Sequence, residues 1–130
     1  MAVRLEVELK ALKGKNRGKV VKCKALLNSG YESETPEIVI PIDVAEKLGF
    51  LPELPEETRM EEYYSVSGKF VARRIPDAVE VKLADRSVVA SAVIVDFERE
   101  VLLSDATISE LGIIILDAKR GEWRLRECSR

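Results

Sequence analysis

The stretch Lys24-Ala25-Leu26-Leu27-Asn28-Ser29-Gly30 is an apolar strand that runs directly into a turn of small residues, and the segments beyond that turn decide the fold. Ile38-Val39-Ile40-Pro41 is a second short apolar strand. Asp43-Val44-Ala45-Glu46-Lys47-Leu48-Gly49 then opens on Asp and closes on Gly, the mark of a short helix. A similar succession returns near the other end. Val101 to Leu103 leads into Ser104-Asp105, a capping signal for a helix through Leu111 that Gly112 ends. There is no sequence repeat, yet the strand-turn-strand-helix pattern occurs twice.

Around these blocks the chain reads as β-structure. Val3, Leu5, Val7 and Leu9 alternate with Arg4, Glu6, Glu8 and Lys10, as a half-buried strand requires. Gly14 to Gly18 is a polar turn before the strand from Lys19 to Leu27, which makes a hairpin. Phe50 to Glu57, with Pro52 and Pro55, is a rigid connector. From Arg59 to Ile75 two runs flank a tight turn at Ser67-Gly68; Val79, Val81 and Leu83 form another strand, Asp85-Arg86 turns, and Ser87 to Phe97 returns. Ile113 to Leu116 and Glu122 to Arg126 are the last two strands, around Arg120-Gly121. About eight short strands and two short helices, with Pro and Gly at the junctions, predict one domain over 1–130, mostly β, built as a small closed barrel.

Composition narrows the chemistry. The chain has 130 residues, 46% of them hydrophobic, enough for a real core. It has no His, which removes Ser-His-Asp and Cys-His catalysis and His-ligated metal sites together. Cys23 and Cys128 are too few and too far apart for a zinc cluster, so no metal or other cofactor is expected, and two thiols suggest a reducing, cytoplasmic setting. Apolar runs such as Ile113 to Leu116 fall far short of the roughly 20 residues that span a bilayer, and the charges at Arg4 and Glu6 speak against a leader. With 21 Lys and Arg against 23 Asp and Glu, the chain lacks the basic balance of a nucleic-acid coat. Seven basic residues do fall between Lys10 and Lys24, and a non-enzymatic module binding nucleic acid through Lys13, Lys15, Arg17 and Lys19 is the competing function, though the solvated face of a hairpin explains them more simply. Gln is absent, Asn occurs only at 16 and 28, and a third of the chain is charged, a bias that matches thermophilic proteins.

The quoted blocks resemble the retropepsin-like aspartic proteases, whose strand ends in Asp-Thr/Ser-Gly and is followed by an apolar segment and a short helix of the Val44 to Gly49 type. Leu102-Leu103-Ser104-Asp105 is similar to that family's late strand and helix. Tyr64 to Phe70 stands where the family carries its flap hairpin. The resemblance covers roughly Lys19 to Leu125. It implies a two-fold symmetric homodimer around paired Asn28-Ser29-Gly30 loops, with Ser29 bonding the two loops and Gly30 permitting close backbone approach. It implies catalysis by two carboxylates that share a proton, one acting as base on water while the other polarises the peptide carbonyl. It also implies an extended peptide as substrate, held by Tyr31, Val66, Ser67, Gly68 and Lys69.

The sequence departs from that family at the residue that matters most. Position 28 is Asn, and a carboxamide neither takes a proton from water nor shares one with its twin. An aspartic endopeptidase is expected only where this position is Asp; as written the protein is expected to be impaired or inactive. A natural pseudo-protease, a deliberate inactivation and an encoded Asn that deamidates remain three accounts of it. Tyr31 replaces a small residue and Ser104 a common Gly. Asp105 is read as a helix cap and Asp117 as a turn residue, both structural. In the resembled family C-terminal strands interleave across the dimer in some members, which would bring Cys128 near its symmetry mate, although a free thiol is the simpler reading.

Overall fold

The computed structural model describes residues 2–66 and 68–127, so Ser67 and Cys128 lie outside the described residues. The strands are β1 (Arg4–Ala11), β2 (Val20–Leu27), β3 (Glu37–Ile40), β4 (Arg59–Ser65), β5 (Gly68–Leu83), β6 (Arg86–Ile94), β7 (Val101–Leu103), β8 (Ile113–Asp117) and β9 (Glu122–Leu125). Two short helices, α1 (Ile42–Lys47) and α2 (Asp105–Glu110), follow β3 and β7. Six strands in the order β1-β2-β7-β3-β6-β5 close into a barrel because β5 also pairs with β1, through Glu8↔Lys82 to Ala11↔Val79. The expected closed barrel with two short helices is therefore present. Pairs β2–β7 and β3–β6 are parallel and the other pairs antiparallel.

The wall follows from period-2 patterning. Leu5, Val7, Leu9 and Ala11 of β1 point into the barrel while Arg4, Glu6 and Lys10 face out. Leu9, Ile38, Ile40, Ile75, Val81 and Leu103 are fully buried in the centre. Leu48 and Phe50, just past α1, are fully buried in the same core. Gly49, at φ +83°, lies against Asn16, whose Cβ and Cγ are 2.5 and 2.7 Å from where a Gly49 Cβ would stand; this seats the loop of residues 12–19 on the end of α1.

Several details differ from the sequence reading. The two strands expected on either side of Pro76 are one sixteen-residue strand, β5, interrupted where Pro76, Asp77 and Ala78 stand opposite Ser91 alone. Pro76 has no N–H for the ladder, Asp77 adopts φ +46°, and its N–H donates to Ser91 Oγ at 3.1 Å. Beyond the bulge β5 closes the barrel on β1; before it Arg73 to Ile75 still pair with β6, and residues 68–74 pair with β4 as a hairpin that runs on past β6. At the tip Ser65 pairs with Gly68, so Gly68 belongs to the strand rather than the turn. The β5–β6 turn is Ala84-Asp85, not Asp85-Arg86, since Leu83 pairs with Arg86.

The helix starts differ too. α1 begins after Pro41, no side chain bonds its first amides, and Asp43 lies in its first turn. In α2 the cap is Ser104, whose Oγ accepts from Thr107 N at 3.4 Å; Asp105 lies in the first turn. Arg86 completes the other end of α2, donating from Nη1 to Leu111 O at 3.1 Å and from Nη2 to Arg126 O. The β8–β9 ribbon packs Ile115, Trp123 and Leu125 against the core. Among the described residues, no helix is long and apolar enough to cross a membrane.

Candidate functional site

β2 ends at Leu27, whose N–H bonds Val3 O, and Asn28 N donates to Leu103 O at 3.1 Å. The backbone then reverses, with Tyr31 N donating to Asn28 O at 3.0 Å. Asn28 is half-buried, while Ser29 and Gly30 are exposed. Among the described residues, a Cβ at Gly30 would meet only the Asn28 Oδ1, at 3.4 Å, so no backbone crowds this glycine.

A polar network below the turn fixes it to α2. Ser104 is fully buried, and its Oγ accepts from Ser33 Oγ at 2.8 Å and from Glu37 N at 3.2 Å. Thr107 Oγ1 donates to Glu37 O at 2.8 Å, Asp105 N donates to Tyr31 O at 2.8 Å, and Asp105 Oδ1 accepts from Ser33 N at 3.0 Å. Asp105 Oδ1 also accepts from Ala106 N at 2.7 Å, so this side chain serves a first-turn amide of α2 and the loop together, while Ser104 occupies the cap position. Asp117 accepts from Arg120 N at 3.1 Å, a turn bond. Glu37, only 8% exposed, takes the Tyr31 hydroxyl at 2.6 Å on one oxygen and Arg74 Nε at 2.9 Å on the other. Burial, and then the hydrogen bond to Glu37, pushes the Tyr31 phenol far above its ordinary value, so it stays a donor. Tyr31 is long enough to span from the turn to this carboxylate, which a small residue there could not do.

The loop forms one side of a cleft of about 350 Å³ and the β4–β5 hairpin forms the other. Asn28, Gly30 and Tyr31 line it from the turn; Tyr64, Ser65 and Val66 line it from the hairpin. Of the residues expected to hold a peptide, Tyr31 and Val66 are at the cleft, whereas Gly68 and Lys69 do not line it; Lys69 Nζ instead lies 3.6 Å from Glu62 across the hairpin. Ser29 is exposed beside the cleft, and Ser67 is outside the described residues.

The floor of the cleft is absent from the sequence reading. Val39, Val93, Val95 and Leu102 project from the outer face of β3, of β6 and its continuation, and of β7, beneath Tyr63 and Phe70 of the hairpin. Phe70 stacks with Tyr63 at 5.8 Å between ring centroids and meets Phe97 edge-on at 5.2 Å. The Tyr63 hydroxyl is buried with no hydrogen-bond partner among the described residues, and burial first, then the nearby Glu37 charge, raises its titration. The signal that could have found this floor is the unbroken apolar run through Ala92-Val93-Ile94-Val95, since strands buried on both faces lose their alternation. Glu98 is the one carboxylate on the cleft lining among the described residues.

The basic stretch is interleaved with acids. The register sets Lys24 beside Glu6, Lys22 beside Glu8 and Lys10 beside Glu80, and Lys13 reaches Glu57 at 3.9 Å. Cys23, half-buried on the barrel wall, has its thiol pushed up to about 11 by burial. No group of three or more acidic or Cys side chains placed to hold a metal occurs among the described residues. No protein-family model matches this sequence, and no curated protein matches it.

Proposed function

We propose that this chain is an aspartic-protease-like protein of retropepsin type that acts as a homodimer, binds extended peptides, and is catalytically silent or impaired while position 28 carries a carboxamide. One observation carries the reading: the Asn28-Ser29-Gly30 turn and the β4–β5 hairpin, some thirty residues apart in sequence, line the same cleft. A single turn supplies half of a two-residue catalytic pair, so a second copy must bring the other. The exposed Ser29 is free to bond its twin across that axis. A strand hairpin on one side of a cleft with an apolar floor suits an extended peptide, whose backbone the hairpin bonds while the floor takes its side chains.

With Asp at position 28, two carboxylates in contact would hold a single proton between them, giving a base for water and an acid for the carbonyl. Asn offers an amide donor and a neutral acceptor, which preserves shape and removes the proton transfer. The test is a peptide-library cleavage assay from acidic to neutral pH on the protein as given and on Asn28→Asp, with sedimentation to establish the dimer. Cleavage by the Asp variant alone, as a dimer, is expected. A folded monomer, or a dimeric Asp variant that never cuts, overturns the proposal.

A further inference from the structure

We infer that Asn28 is a self-modification site, at which the protein turns its own carboxamide into a carboxylate through the Asn28–Ser29 peptide. The sequence has two asparagines, and their settings are opposite. At Asn28, among the described residues, no hydrogen bond holds the carboxamide, and its Oδ1 lies over the turn, 3.4 Å from where a Gly30 Cβ would stand. The next residue, Ser29, is small and exposed, and among the described residues its amide nitrogen donates to no acceptor. Asn16 has its Cβ and Cγ pressed against Gly49, and the amide nitrogen that follows it, on the bulky Arg17, donates to Gly14 O at 3.3 Å.

The chemistry needs only water. The Ser29 nitrogen, giving up its proton, attacks Asn28 Cγ; a new C–N bond closes a five-membered succinimide, the bond from Cγ to Nδ2 breaks, and Nδ2 leaves as ammonia with the proton. Water then opens the ring. Opening at Cγ gives Asp on an unaltered backbone, and opening at the other carbonyl gives isoaspartate. The modification itself is independent of the proteolytic reading, but its consequence rests on that reading: it would supply the acid the cleft lacks and make activity a function of the protein's age.

The purified protein is aged in warm, mildly alkaline buffer, folded and in urea, and mapped by mass spectrometry that separates Asn, Asp and isoaspartate at both positions. Folding is expected to protect Asn16 and to leave Asn28 reactive, so that Asn28 converts several-fold faster than Asn16 in the folded protein. Ser29→Gly should hasten conversion and Ser29→Val slow it, because the side chain beside the attacking nitrogen sets the crowding. Equal rates at the two positions in the folded protein, protection of Asn28 as strong as that of Asn16, or indifference to both Ser29 variants would overturn the inference. The aged protein is then given the peptide library beside Asn28→Asp. Cleavage by both supports activation by ageing. Cleavage by Asn28→Asp with a silent aged protein whose map contains Asp at that position overturns activation. Silence from both overturns activation and the proteolytic reading, leaving the modification to stand on the mass data.

Discussion

Strands β3 and β6 each serve two apolar layers of very different tightness. Inward, Ile38, Ile40 and Ile94 are sealed in the barrel, at most 1% exposed. Outward, Val39 and Val93 meet a layer completed by Tyr31, Tyr63, Phe70 and Leu102, all only partly buried, with Phe97 66% exposed at its rim. The inner layer is enclosed by strands on every side. The outer one is covered by a single hairpin whose other face is in water, for six of the seven β4 residues are exposed. Apolar area removed from water stabilises in proportion to its extent, so the barrel supplies stability while the outer layer leaves a cleft. Regions with few buried contacts are also the ones that open locally, so the hairpin is the part of the molecule expected to lift first from the cleft.

The comparison breaks most visibly if the two layers respond alike to truncation. Ile38→Ala should cost about 3 kcal/mol by urea unfolding, the range for emptying a close-packed core site. Glu37→Ala tests the polar seam between the layers. It strands the partly buried Arg74 guanidinium and the Tyr31 hydroxyl, and a loss of about 2 kcal/mol is expected, with Glu37→Gln recovering part of it. A Glu37→Ala protein as stable as the parent would mean the seam only decorates the loop.

Phe70→Ala should cost about 1.5 kcal/mol, since the ring is only partly buried though it touches two others. Its sharper readout is hydrogen exchange. Amides of residues 59–75 should exchange faster while those of β1 and β2 do not change. Uniform acceleration would show one cooperative unit in place of two layers.

The smallest effect concerns the barrel wall. The folded Cys23 thiol titrates near 11, above the ordinary 9.0, because burial disfavours the thiolate. The folded state therefore binds this proton more tightly than the unfolded one. Its contribution to stability is whole below about 9 and is lost as pH rises toward 11. In a Cys128→Ser background, alkylation of Cys23 should stay slow at neutral pH and accelerate only toward that upper value. Rapid alkylation at neutral pH would mean that this part of the wall is open.

The element types are legible in the sequence because each rests on local chemistry. Alternation in β1 announces a wall strand, Gly49 and Gly112 stand just past the two helices, and the Asn28-Ser29-Gly30 turn stands at the end of a strand. Capping is half legible: Ser and Asp both accept at a helix start, as both do here, and only the tertiary structure shows that Ser104 holds the cap position and that both also bond the loop of residues 31–37. The floor of the cleft is hidden because Val39, Val93 and Val95 look in sequence like ordinary barrel residues.

The sequence by itself determined which face of an alternating strand such as β1 is apolar, roughly where the backbone must turn, and that no imidazole chemistry is available. Only the tertiary structure decided which edges meet. Closure of the barrel through β5 and β1 joins residues some seventy positions apart, and the bend at Pro76 to Ala78 divides one strand between the wall and the hairpin. The physical reason is that a period of two fixes a side chain's face but not its strand's neighbour. That choice is made by the whole molecule at once, when backbone donors and acceptors on distant strands find each other.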